Sequence, residues 1–128
     1  MGFFGKLFGK SSEEEMMEKS SRIVSHALNA NNELKKAELE NPEKVLDEII
    51  ENMKRLYSAG LVHGDISEYN ILIKDDMPFL IDIGQGVSLG HPKANEFLER
   101  DVINILYYFN KVYGIEKNKE KVVSQIKS

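Results

Sequence analysis

LVHGDISEYNILIKDDMPFLID, Leu61 to Asp82, is the stretch on which the reading of this chain turns. Leu61-Val62, Ile71-Leu72-Ile73 and Phe79-Leu80-Ile81 are short apolar runs rich in strand formers. Asp75-Asp76-Met77-Pro78, between the last two, is a turn signal. The spacing predicts a small antiparallel hairpin of 71–73 with 79–82. Asn70 enters that hairpin and Asp82 leaves it, so both reach one open end, and Asp65 sits on the loop just before it. Two carboxylates and an amide converging there make a hard-oxygen site, suited to Mg²⁺ with a phosphate chain completing the shell. Asp and Asn also favour turns for local reasons, so an ordinary loop-and-turn cluster stays open as a reading of the spacing alone.

Working outward, Asn41-Pro42 starts the clearest helix, with Asn as cap and Pro in the first turn. Val45, Leu46, Ile49, Ile50, Met53, Leu56 and Tyr57 form a continuous apolar stripe, Lys54 and Arg55 suit the last turn, and Gly60 ends it. On the other side, a helix is predicted over about 92–112, burying Ala94, Phe97, Leu98, Val102, Ile105, Leu106 and Phe109. Tyr107, Tyr108 and Tyr113 read as edge packing, and Glu116 to Ile126 as a charged segment able to form a last short helix. Asp101 interrupts the apolar stripe. A buried carboxylate needs hydrogen-bond donors, and the backbone of His63 or Gly64 is the expected source; the alternative is a surface Asp paired with a Lys.

The N-terminal part is less informative. MGFFGKLFGK is apolar and basic but is neither a secretory signal nor a myristoylation site, since Lys6 stands where Ser or Thr is needed. Gly5 to Ser11 is one residue short of a P-loop and follows no strand. Phe3, Phe4, Leu7 and Phe8 could line one face of a short helix touching a membrane surface or a partner; a loose terminal tail is the other reading. Ser11 with Glu14, or Ser12 with Glu15, forms a capping box, and a helix over about 13–29 follows, with His26 beside its apolar stripe. The whole chain has 128 residues, enough for one domain with a modest core, and its net charge of −4 suggests no general nucleic-acid footprint. It has no cysteine, which excludes a disulfide framework and thiol chemistry and fits a cytoplasmic location, and no apolar run approaches a membrane span.

The spacing also has a counterpart. The protein-kinase catalytic loop reads H-R-D-L-x-x-x-N, with a metal-binding Asp a short hairpin later. Here the loop is His63-Gly64-Asp65-Ile66-Ser67-Glu68-Tyr69-Asn70, and Ile81-Asp82-Ile83-Gly84-Gln85 stands in place of D-F-G. V-H-G-D-x-S-E-Y-N followed by I-D-x-x-Q, and then HPKANEFLERDVINILYYF, resembles the RIO family of atypical serine/threonine kinases, on its L-S-E-Y-N branch, from about Glu38 to Gly114. The short stretch between Asp82 and His91-Pro92, with no A-P-E, is similar to that family, which lacks the long activation segment.

The resemblance implies an α+β fold, a protein-kinase-like C-lobe with helices packed around a small catalytic hairpin. It divides the chain into a tail and helix over 1–40, the C-lobe over 41–114 and a charged helix or tail over 115–128. It implies ATP and Mg²⁺ as cofactors. Asp65 would orient or deprotonate the attacking hydroxyl. Asn70 and Asp82 would hold the metal, and Ser67, Glu68, Asn70 and Asp82 would face the nucleotide. Asp82 could also accept the phosphoryl group as an aspartyl-phosphate, and His63 would brace the loop. No G-x-G-x-x-G and no strand Lys precede the catalytic loop. The expectation is therefore a site completed by an N-lobe in trans, with an exposed apolar patch where that lobe docks. The alternative is a non-catalytic binding module, with a precursor of the small ribosomal subunit as its implied partner.

Overall fold

The computed structural model describes residues 33–128. The apolar face of MGFFGKLFGK, the helix over 13–29 and the setting of His26 lie outside the described residues.

Helix α1 spans Pro42–Ser58. Its start is fixed locally: the Asn41 side chain accepts the Lys44 amide, and Pro42 takes the first turn, where a missing N–H costs nothing. Gly60, at φ +90°, turns the chain out of the helix. Val45, Leu46, Ile49, Ile50 and Met53 are buried, so the predicted stripe is the core face.

Past the turn, β1 (Leu61–Val62) leads into the loop that carries the candidate residues. Strands β2 (Ile71–Lys74) and β3 (Met77–Leu80) pair antiparallel, with Lys74 opposite Met77 and Ile71 opposite Leu80. The hairpin is as expected, but its turn is tighter than the four-residue signal suggested. Asp75 and Asp76 both adopt left-handed backbone, at φ 52° and 58°, which Asp tolerates better than most residues and which a two-residue hairpin turn needs. Met77 and Pro78 therefore belong to β3. Pro78, which has no N–H to donate, is accommodated in a two-stranded sheet opposite Ile73.

A short 3₁₀ turn, Ile83–Gln85, leads to β4 (Val87–Ser88), which pairs antiparallel with β1. Gly86 makes this pairing sterically feasible, since a Cβ there would lie 3.0 Å from the carbonyl oxygens of both Ile83 and Val62. Helix α2 spans Ala94–Tyr113 and ends at Gly114, at φ +70°. Helix α3, Lys119–Lys127, is capped by Asn118 and packs on both α1 and α2 through buried Val122 and Ile126.

The core lies between the three helices and the inner face of the hairpin. Phe109, Leu46, Ile49, Ile71 and Ile105 are fully buried, each worth about 1.5–3 kcal/mol against exposure. Leu34, also fully buried, ties the preceding segment to the hairpin through its amide bond to the Ile71 carbonyl, 2.8 Å. On α2, Tyr108 and Tyr113 pack as expected, but Tyr107 does not: it is 65% exposed, because the helix turns that face away from the core. Among the described residues no helix is long and apolar enough to cross a membrane.

Candidate active site

The loop 63–70 is held by groups from three elements. Asp101 of α2 is 1% exposed and accepts two backbone amides, from Gly64 at 2.7 Å and from Ile66 at 3.1 Å. The Gly64 contact is the expected one; Ile66, rather than His63, supplies the second. Burial raises the Asp101 carboxyl above its ordinary pKa, against the amide bonds from Ile66 and Gly64 and the neighbouring His63 and Arg100, which lower it. Arg100 adds a bond that sequence reasoning missed: its guanidinium donates to the Gly64 carbonyl at 2.6 Å and lies 4.8 Å from the Phe97 ring centroid. Gly64 sits at φ +85°, a conformation that disfavours a side chain. Three contacts thus pin three successive peptide units, from 63–64 to 65–66, two of which flank Asp65.

His63 is 2% exposed and ties the loop to the far side of the hairpin. Its Nδ1 accepts the Asp65 amide at 3.1 Å, so its Nε2 carries the proton and donates to the Ile81 carbonyl at 2.6 Å. The brace expected of His63 therefore has a definite form, joining Asp65, two residues on, to Ile81, the residue just before Asp82.

Asn70 joins the remaining pieces. Its Nδ2 donates to the Asp65 carbonyl at 2.6 Å and to Asp65 Oδ2 at 3.3 Å, while its own carbonyl accepts the Ile81 amide at 3.0 Å. With the amide nitrogen committed, Asn70 Oδ1 is the atom left for a cation, and Asp65 Oδ1 stays open on the base candidate. Asp82 is exposed and follows Ile81 with a left-handed backbone, φ 62°; among the described residues its carboxylate makes no hydrogen bond or ion pair. Strained backbone of this kind is most common at functional sites. The structure thus links Asp65, Asn70 and the Ile81–Asp82 corner in one hydrogen-bonded unit.

Ser67 and Glu68 have a different setting. Ser67 Oγ accepts the Tyr69 amide at 3.2 Å, its carbonyl accepts the Asn70 amide at 3.0 Å, and the Glu68 carbonyl accepts the Lys35 amide at 3.0 Å. Both residues line a groove against α2.

The donor set fits a hard cation. Among the described residues no cluster of three or more His, Cys, Asp or Glu could hold a metal by itself. Asn70 Oδ1 and the Asp82 carboxylate are hard oxygen donors of the kind Mg²⁺ accepts when substrate phosphates and water supply the rest.

Comparison with known proteins places this geometry. Residues 20–122 match the RIO domain family. The RIO-type serine/threonine-protein kinase Rio1 of Thermoplasma acidophilum is 42% identical over 90 residues, covering 70% of this chain and 47% of the relative. Rio1 of Methanocaldococcus jannaschii is 54% identical over 70 residues, covering 54% of this chain and 24% of the relative. The chain thus spans between about a quarter and a half of the length of these relatives. Among solved structures, the Rio2 kinase–ADP/Mg²⁺–phosphoaspartate complex from Chaetomium thermophilum superposes with a TM-score of 0.64 at 25% identity, over 76% of this chain and 34% of that one. The matched portion is the C-terminal part of a protein-kinase-like α+β fold. With its catalytic-loop and hairpin motifs in place, this chain belongs to the RIO family of atypical serine/threonine kinases.

Proposed function

We propose that this chain contributes the metal-binding and hydroxyl-activating half of a RIO-type serine/threonine kinase, which transfers a phosphoryl group from Mg²⁺-bound ATP. The observation that carries the reading is the division of labour on Asn70. Its amide nitrogen fixes Asp65 through two contacts, and this leaves its oxygen for the cation, with the Asp82 carboxylate, which is unpaired among the described residues.

In this scheme Asp65 accepts the proton of the attacking serine or threonine hydroxyl on its open oxygen. The hydroxyl oxygen forms the new P–O bond as the bond to the ADP leaving oxygen breaks. Asn70 and Asp82 would hold a magnesium ion, which would offset charge developing on the phosphates. His63, Arg100 and Asp101 keep the Asp65 peptide units fixed, so no reorganisation is needed during the step. Asp82 is also the carboxylate we assign as a phosphoryl acceptor: it is exposed and unpaired among the described residues, and a phosphoaspartate occurs in the Rio2 relative.

The 128-residue sequence contains no G-x-G-x-x-G motif and no V-A-I-K-like segment before the catalytic loop. Those groups grip the adenine side and the phosphates in kinases. Positioning supplies up to about 7–11 kcal/mol of a catalytic effect, and a large part of it resides in that second lobe. The reading therefore gives weak nucleotide binding and negligible turnover for these residues alone, and activity when an N-lobe is supplied in trans.

The test is a phosphoryl-transfer assay with labelled ATP and Mg²⁺, with and without the purified N-lobe of the Thermoplasma acidophilum relative. Added lobe should raise transfer, and Asp65→Ala or Asp82→Ala should abolish the gain. Robust transfer by the 128 residues alone, or no gain with the lobe, contradicts the proposal.

A further inference from the structure

Ser67 and Glu68 stand between Asp65 and Asn70 in sequence, and both also border α2. Together with α2 they wall a groove of about 360 Å³. Ile103, Tyr107 and Lys111 follow one another at four-residue spacing along its length, with Val112 beside them. Ile103 is 47% exposed, Tyr107 65% and Val112 49%, so the apolar surface of this face is unpartnered among the described residues. Lys35 and Lys111 supply the groove's positive charge. Neither forms an ion pair with a carboxylate among the described residues, and Lys111 Nζ lies 6.0 Å from the Tyr107 ring centroid.

Position and chemistry together select an occupant. The groove is bordered by Ser67 and Glu68 of the catalytic loop, two and three residues after Asp65, so a chain lying in it runs beside that loop. Lys35 and Lys111 against Glu68 leave the lining with one net positive charge, and the exposed apolar side chains of Ile103, Tyr107 and Val112 suit a peptide better than a phosphate chain. Aliphatic side chains suit Ile103, Tyr107 and Val112, and the two lysines suit carboxylates. From Ile103 to Val112 the helix rises about 14 Å. An extended segment covers that distance with about four residues at about 3.3 Å each.

We propose that this groove binds the segment flanking the acceptor hydroxyl in a protein substrate, and that it selects acidic–aliphatic sequence, with carboxylates at Lys35 and Lys111. This rests on the phosphoryl-transfer reading and adds the substrate class to it. A mixed surface of two lysines around exposed apolar side chains gives specificity through charge sign more than through raw affinity.

The test uses the full 128-residue chain without nucleotide. The probe is a fluorescein-labelled dodecapeptide of Glu and Leu around one central Ser, and its counterpart has Lys in place of every Glu. Binding is read by anisotropy, and the site by amide shifts in ¹⁵N spectra. The acidic peptide should bind at least about tenfold tighter than the basic one and shift Ile103, Tyr107 and Val112. Lys35→Glu combined with Lys111→Glu should weaken it by a similar factor, while Lys127→Glu should not. Equal binding of the basic peptide, indifference to the double reversal, or shifts that map elsewhere would overturn the proposal. So would groove shifts that appear without peptide, either on dilution, which reveals a second copy, or in a Met16→Glu/Met17→Glu variant, which reveals the chain's own N-terminal part. Groove binding with no transfer in the complemented assay retires the phosphoryl-transfer reading and leaves the groove standing. Transfer without groove shifts does the reverse.

Discussion

Replacing Asp101 by Ala removes the one carboxylate that satisfies two loop amides. The Ile66 amide is buried, and leaving such a donor without a partner costs about 1–3 kcal/mol. The Gly64 amide is half-buried, so water recovers part of its loss, and about 1 kcal/mol is the larger share to expect there. The sum, about 2–4 kcal/mol, is a large fraction of the stability of a domain this size. Urea unfolding followed by circular dichroism should show it as a midpoint drop of about 1 M or more. Asp101→Asn keeps one acceptor and should cost less than Ala, which preserves the ordering as a test if the Ala variant fails to fold. The pH dependence has a definite sign. Burial raises the folded pKa of Asp101, so the folded state holds this proton more tightly than the unfolded chain does. Its contribution is fully present below the unfolded value, about 4, and is lost as pH rises through the raised folded value. The gap between wild type and Asp101→Ala should therefore be widest in acid and narrow as pH rises. An Ala variant within about 0.5 kcal/mol of wild type at about pH 4, where the gap should be widest, would refute the role assigned to Asp101.

Arg100→Met should remove the bond to the Gly64 carbonyl and cost about 0.5–1.5 kcal/mol, with faster hydrogen exchange at Gly64 to Ile66 and little change in α3. Asp76 accepts the amides of Glu40 and Asn41 and so ties the hairpin turn to the start of α1; Asp76→Ala should lower stability by about 1–2 kcal/mol in urea, and Asp76→Asn by less. Gly86→Ala places a methyl 3.0 Å from two carbonyl oxygens, so β4 must move off β1; a loss of about 1–3 kcal/mol, with shifts at Val62 and Val87, is expected in unfolding and ¹⁵N spectra.

The hairpin and the two long helices were legible because each carries redundant local signals. Asn41-Pro42 and Gly60 mark both ends of α1, and the apolar stripes of α1 and α2 repeat at helical spacing. Asp101 was legible as an anomaly, a carboxylate in an apolar stripe. Other features were not. The β1–β4 pair involves only Leu61-Val62 and Val87-Ser88, too short to carry a pattern, and it depends on Gly86 allowing a close approach that only the folded chain reveals. Arg100 reads as a surface residue because its partner, the Gly64 carbonyl, is 36 positions away. The two-residue turn was obscured by Pro78, which signals a turn in sequence yet here sits in a strand. Tyr107 joins an aromatic run in sequence, but helical geometry turns it outward while Tyr108 goes in.

The most direct test of the central claim is metal binding at Asn70 and Asp82, beside Asp65, measured by adding Mn²⁺ in place of Mg²⁺ to the ¹⁵N-labelled chain in the presence of ADP. Paramagnetic broadening should be confined to the amides of Asp65, Asn70, Asp82 and their immediate neighbours, including the Asn70 side-chain amide, and should vanish in Asp82→Ala. Broadening that is spread over the acidic surface, or that persists unchanged in Asp82→Ala, would contradict the account.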